Sequence, residues 1–118
     1  MPRSKRTRLT DSPEFERVYR QGAAYRGNLF SVHAFPNESG TPRLGLSVSR
    51  KVGNAVTRNA VRRRLREVFY STLAEVPRNW DLVVTARPPA AEASLEEQRE
   101  EFARSLRKLG ETGKVRAK

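Results

Sequence analysis

The stretch Ser49-Arg50-Lys51-Val52-Gly53-Asn54-Ala55-Val56-Thr57-Arg58-Asn59-Ala60-Val61-Arg62-Arg63-Arg64-Leu65-Arg66 holds seven basic residues and no acidic one. An apolar pattern runs beneath the charge. Val61, Leu65, Val68, Phe69 and then Thr72 or Leu73 recur at helical spacing. At about 100° per residue they share one side of a helix. Asn59, Arg62, Arg63 and Arg66 fall on the adjoining arc, Arg64 and Glu67 on the other flank, and Arg58 in the first turn. Thr57 is read as the N-cap, after a Gly53-Asn54 loop.

Arginines four apart repel, and each such pair costs an isolated helix roughly 0.2–0.5 kcal/mol. Glu67 alone is close enough in sequence to soften this. A polyanion laid against the array removes the repulsion and accepts forked hydrogen bonds from the guanidinium groups. Arg50 and Lys51 add charge upstream. A merely solvated charge run, or a nuclear-localisation or heparin-type patch, is the blander reading. The apolar periodicity favours a folded helix.

Outward from this helix the chain reads as scaffold. Residues 1–8 are a basic tail, expected to be flexible. Asp11 with Glu14 reads as a capping box for a helix that runs to about Arg20 and stops at Gly22. Phe15, Val18 and Tyr19 share a face of it, as ordinary core or as a stacking platform for unpaired bases. Residues 29–35 and 43–49 alternate with period two. The turn-forming residues 36–42 between them predict an antiparallel hairpin. In the second strand Leu44, Leu46 and Val48 take one face, and Gly45, Ser47 and Ser49 the other. That small, polar face is either closely covered or left open as a groove. Residues 23–26 are a weaker strand candidate. Residues 80–87 form a strand whose Leu82-Val83-Val84 suggests burial on both faces, parallel to the strand before the basic helix. Ser94 with Glu97 caps a last helix that buries Leu95, Phe102, Leu106 and Leu109, ends at Gly110 and turns its other side to water. Residues 110–118 form a polar tail.

The chain has 118 residues and a formal net charge of +11, within the range of one domain with one modest core. The charge is uneven: residues 1–91 carry 17 basic and 7 acidic side chains, residues 92–118 carry 7 and 6. A polyanion surface therefore belongs to the first three quarters. The absence of cysteine excludes disulfides and thiolate metal sites. No apolar run reaches transmembrane length, and no signal region follows the basic start, so the expectation is a soluble cytoplasmic protein with no membrane partner.

Three segments, in order, resemble the bacterial ribonuclease P protein subunit. They are Arg8-Leu9 with Phe15-Glu16-Arg17-Val18-Tyr19-Arg20-Gln21-Gly22, then Leu44-Gly45-Leu46-Ser47-Val48-Ser49, and then Gly53-Asn54-Ala55-Val56 leading into Arg58-Asn59, Arg62-Arg63 and Arg66. The likeness spans roughly residues 5–109. It implies an α+β fold, a two-layer α/β sandwich of αβββαβα topology. It also implies a left-handed βαβ crossover through the basic helix, against the general right-handed rule. It implies a ribonucleoprotein partnership with a catalytic RNA and with precursor tRNA, without an obligate protein partner. Magnesium would act through the RNA subunit, and removal of the tRNA 5′ leader would be the activity. Arg50, Lys51, Arg58, Asn59, Arg62, Arg63 and Arg66 then become RNA contacts. Phe15, Tyr19, His33 and Ser47 become the lining of a 5′-leader groove. Ala60 stands where relatives often carry a further basic residue, and His33 where an aromatic is common.

The residues by themselves show no catalytic constellation. The seven acidic residues before residue 92 form no paired ligand spacing, and His33 is the only histidine. Phosphate-binding glycine loops, nucleophile elbows and zinc patterns are missing. No catalytic residue and no metal ligand is assigned. A general RNA-binding module, such as a ribosomal protein or RNA chaperone, shares the charge but not all three segments. A DNA-binding protein would place the basic helix in the major groove.

Overall fold

The computed structural model describes residues 13–38 and 40–111, with the side chain of Glu14 excepted. The expected capping box of Asp11 and Glu14, the tail at residues 1–8 and most of the tail at 110–118 lie outside them.

Helix α1 spans Pro13–Gln21, strand β1 Ala23–Arg26, β2 Phe30–Pro36, β3 Arg43–Ser47, helix α2 Ala55–Ser71, β4 Trp80–Ala86 and helix α3 Leu95–Glu111. This is the expected αβββαβα order of an α+β sandwich. The four strands form one sheet in the order β1-β2-β4-β3. β2 is antiparallel to β1 and β4, while β3 and β4 are parallel.

The predicted hairpin of β2 and β3 does not form, because β4 lies between them. Trp80, Leu82, Val84 and Ala86 enter the core on one face of β4, and Val83 enters a second cluster with Val18. A strand buried on both faces gains most at the centre of a sheet, and β2 and β3 must part to admit it. Their connection is anchored on the inserted strand. Asn37 N–H donates to Asn79 O (2.6 Å), and Asn37 Nδ2 to Asp81 Oδ1 (2.7 Å). Arg43 closes the network on the same carboxylate through Nε (2.8 Å) and Nη2 (2.6 Å).

Helices α2 and α3 cover one face of the sheet. Val61, Leu65, Val68 and Phe69 of α2 are buried at the predicted spacing. The Phe69 and Phe102 rings meet edge to face, with centroids 6.4 Å apart. The N-cap of α2 is Asn54, not Thr57: Asn54 Oδ1 accepts from Thr57 N–H at 2.9 Å. Asparagine is at least as good a cap as threonine, and here it stands three residues before the donor it satisfies. A Cβ on Gly53 would lie 2.8 Å from Thr57 Cγ2, so glycine lets the loop close on the first turn.

Helix α1 lies on the other face, with Val18 on Val83. Gly22 follows it because a Cβ there would meet the carbonyl oxygens of Ala34 and Val18 at 2.5 Å. At the far end, Ser94 and Glu97 form the expected capping box, with reciprocal bonds of 2.8 and 3.0 Å. Hydrogen bonding to the Ser94 N–H, then to its hydroxyl, holds the Glu97 carboxyl below its ordinary pKa. α3 continues through Gly110 to Glu111, where Lys108 and Glu111 pair at 3.9 Å.

Nor does α3 turn all its polar residues to water. Gln98, Glu101 and Ser105 are buried beside Phe102 and Leu109. Glu101 Oε2 accepts from the backbone N–H groups of Leu29 (3.0 Å) and Phe30 (3.1 Å). A Cβ on Gly27 would collide with that same carboxylate. The turn between β1 and β2 is thus folded around an acceptor supplied 71 residues later. Glu101→Ala leaves two buried donors unpaired, a loss of about 3 kcal/mol in unfolding free energy. Glu101→Gln keeps an acceptor and should lose less than half of that, as read from urea titration.

Candidate nucleic-acid interface

Side chains alternate across each strand, so the pairing register lays out the sheet face under α1 row by row. One row holds Ala24, His33, Val83 and Gly45 on neighbouring strands. The next holds Arg26, Ser31, Thr85 and Ser47. Val18 sits on the first row through Val83, with Phe15 and Phe35 packed against that pair. The second row has only small hydroxyl side chains between Arg26 and the end of β3. The Gly/Ser face read from the sequence is therefore real, and Ser47 lies on it.

Tyr19 stands beside this floor. Its side chain is 48% exposed, and its ring centroid is 4.8 Å from that of His33 at an interplanar angle of 41°. Phe15 is half-buried against the Val18–Val83 pair. The core and platform readings of the α1 aromatics therefore divide between two residues: Phe15 packs, and Tyr19 presents its ring.

His33 is half-buried, and its Nδ1 is enclosed without a hydrogen-bond partner. Charging the ring would place an N–H at that atom with nothing to accept it. Burial, and then the Arg26 guanidinium, hold the His33 pKa below its ordinary 6.5. Both effects favour the uncharged imidazole, whose ring is tilted against that of Tyr19.

The cationic surface begins where the groove floor ends. β3 stops at Ser47, two residues short of the predicted end, and Val52 N–H bonds back to Ser49 O at 3.1 Å in a tight turn. Arg50 and Lys51 are exposed on this turn, which leads into the Asn54 cap. On α2, Asn59 and Arg63 are exposed, while Arg58, Arg62 and Arg66 are partly covered. Arg62 Nη1 donates to Asn59 Oδ1 at 3.0 Å, so the asparagine orients one guanidinium of the array. Arg58 Nε and Arg64 Nη1 are buried with no acceptor. Val56 stands 79% exposed in the first turn. β3 is an edge strand, and its end joins the groove floor to the α2 array.

The sequence reading missed Ser31, Thr85 and Arg26. Alternation along each strand placed them on a face, but only the register aligns them. It also missed a cleft of about 550 Å³ on the other flank of α1, lined by Arg17, Val18, Phe35, Asn37, Arg43 and Asp81. None of Phe15, Tyr19, His33 or Ser47 lines that cleft.

The depressed His33 pKa has a thermodynamic consequence. Below pH 6.5 the unfolded chain takes up this proton more readily than the folded one, so stability falls with pH until the folded-state pKa is passed. The His33 resonances should titrate with a midpoint below 6.5 by NMR. His33→Phe should flatten the stability profile between pH 5 and 7, as checked by denaturant titration at each pH.

Known proteins resemble this chain in sequence and fold. The ribonuclease P protein component of Bacillus pumilus is 38% identical over 106 residues, 88% of each chain. That of Exiguobacterium sibiricum is 42% identical over 94 residues, 79% of this chain and 81% of the relative. Among solved structures, a mutant ribonuclease P protein of Staphylococcus aureus, described as defective in mRNA degradation activity, superposes with a TM-score of 0.78 at 31% identity, covering 87% of each chain. The Thermotoga maritima ribonuclease P protein does so at 0.77 and 28% identity, covering 86% of this chain and 96% of that one. A family model described as Ribonuclease P matches residues 3–110. On fold, sequence and the order of its motifs, the chain belongs to the ribonuclease P protein family.

Proposed function

We propose that this chain, as the protein subunit of ribonuclease P, binds the catalytic RNA and the 5′ leader of precursor tRNA and so supports endonucleolytic removal of the leader. The observation that carries the reading is one surface in which the tilted Tyr19–His33 ring pair flanks a small, polar sheet face that leads, through the end of β3, to the arginines of α2. Unpaired bases seek aromatic faces, and folded RNA presents phosphate.

Arg50, Lys51, Arg58, Asn59, Arg62, Arg63 and Arg66 contact catalytic RNA or substrate near the cleavage point. Phe15, Tyr19, His33 and Ser47 line the leader groove: Tyr19 and His33 offer their rings to leader bases, Ser47 lies on the floor, and the half-buried Phe15 flanks them from α1. In this reading the hydrolytic step belongs to the RNA and its magnesium. The protein's part is electrostatic and positional. Its cations screen the repulsion between two RNAs and lower the magnesium needed to bring them together. No helix among the described residues is long and apolar enough to cross a membrane.

The direct test is leader removal from a precursor tRNA at low magnesium by a bacterial ribonuclease P RNA, with and without this protein. Stimulation that needs both RNA and protein is expected. RNA binding without stimulation would move the chain to the general RNA-binding class. Arg62→Ala should weaken RNA binding and flatten the dependence of log K on log salt by about 0.7–0.9, the share of one phosphate. An unchanged slope would remove Arg62 from the phosphate contacts. Tyr19→Ala should cost precursor binding roughly tenfold, from the loss of one stacked base, and leave mature tRNA unaffected. Equal losses on both would return Tyr19 to a packing role.

A further inference from the structure

Most hydroxyl groups in this protein's helices are committed internally. Ser71 Oγ donates to Val68 O (3.0 Å), Thr72 Oγ1 to the same carbonyl (2.7 Å) and Ser105 Oγ to Phe102 O (2.6 Å). The row on the sheet differs. Ser31, Thr85 and Ser47 lie side by side on β2, β4 and β3, and none of their hydroxyls bonds to a described residue. All three side chains are partly exposed. Thr85 Oγ1 itself is enclosed and unpaired, a costly state for a hydroxyl that a partner brought to the row would relieve.

Strands in a sheet stand about 4.8 Å apart, so the row extends about 10 Å. One end meets Arg26 on β1, and the other runs through β3 into Arg50 and Lys51. The Tyr19 ring lies against His33, in the neighbouring row. A track of small uncommitted hydroxyls with cations at both ends suits a ribose–phosphate backbone. Phosphates meet the cations, and each 2′-hydroxyl, both donor and acceptor, finds a hydroxyl of the same kind. The absence of bulk lets the backbone lie close to the sheet.

We infer that the Ser31–Thr85–Ser47 row is a 2′-hydroxyl-reading track, by which the groove discriminates RNA from DNA in a single strand. The inference rests on the groove's being the place of the leader. Bases stacked by Tyr19 and His33 belong to the same strand whose sugars cross the row.

The test uses the full chain reconstituted with a bacterial ribonuclease P RNA. Equilibrium binding is measured for three ligands: mature tRNA, a precursor with an all-RNA leader, and the same precursor with 2′-deoxy sugars in the leader beyond the nucleotide next to the cleavage point. The RNA leader should add about tenfold more affinity than the deoxy leader. The isosteric Thr85→Val, and separately Ser31→Ala, should each reduce that ratio toward one while mature tRNA binds as before. Tyr19→Ala should weaken both leaders alike and leave the ratio unchanged. If both leaders add equal affinity, the track is refuted and the leader groove stands. If neither leader adds affinity over mature tRNA, the groove reading fails and takes the track with it. A ratio that persists in both hydroxyl variants places the 2′-hydroxyl contacts elsewhere and also overturns the inference.

Discussion

Strand β4 pairs with β2 on one side and β3 on the other, so its backbone groups are satisfied within the sheet. Its side chains leave toward two different partners. Leu82 and Val84 meet the layer of α2 and α3, and Val83 meets Val18 of α1. Helices α1 on one face and α2 with α3 on the other are placed by covering the two sides of this strand. The apolar stripe of α2 faces one way, so its arginines must face outward. The small apolar face of α1, Val18 with Phe15, faces the other way and covers only part of the sheet, so a less covered row remains beside it. Both surfaces of interest are by-products of burying six of the seven residues of β4.

That constraint also explains which parts were legible in the sequence. The Val61–Leu65–Val68–Phe69 stripe and the Ser94–Glu97 box are local patterns, and local patterns survive folding. The parallel pairing of β3 and β4 followed from a strand–helix–strand order and a run of apolar residues. The hairpin misreading came from the same source, since turn residues between two alternating strands look alike whether the strands touch or only flank a third. Asn54 displaced Thr57 as the cap because two good caps stood three residues apart, and only the loop geometry chose between them.

The site was legible in its residue types and not in its alignment. Tyr19 and His33 were named separately, and only the fold brings their rings to 4.8 Å. Ser47 was named because Gly45, Ser47 and Ser49 alternate; its companions Ser31 and Thr85 come from strands 16 and 38 residues away. Glu101 gave no signal at all. A glutamate in a charged helix reads as solvent-facing, and nothing local reveals that two backbone donors of a distant turn require it.

The two ends of the sheet treat positive charge differently. At the end where β4 begins, Arg43 is gripped by Asp81 in a nearly buried pair, and Asn37 completes the shell. At the end where β3 and β4 finish, Arg26, Arg50, Lys51 and Arg87 are exposed; Arg87 reaches only a carbonyl, that of Gly27 at 2.8 Å. Among the described residues, the compensation of positive charge is therefore uneven between these two ends. A polyanion's field would exert a torque on the molecule during approach and turn the uncompensated end forward before any contact forms. Salt should then slow encounter by weakening orientation as well as attraction, so the fold that builds the docking surface also aims it.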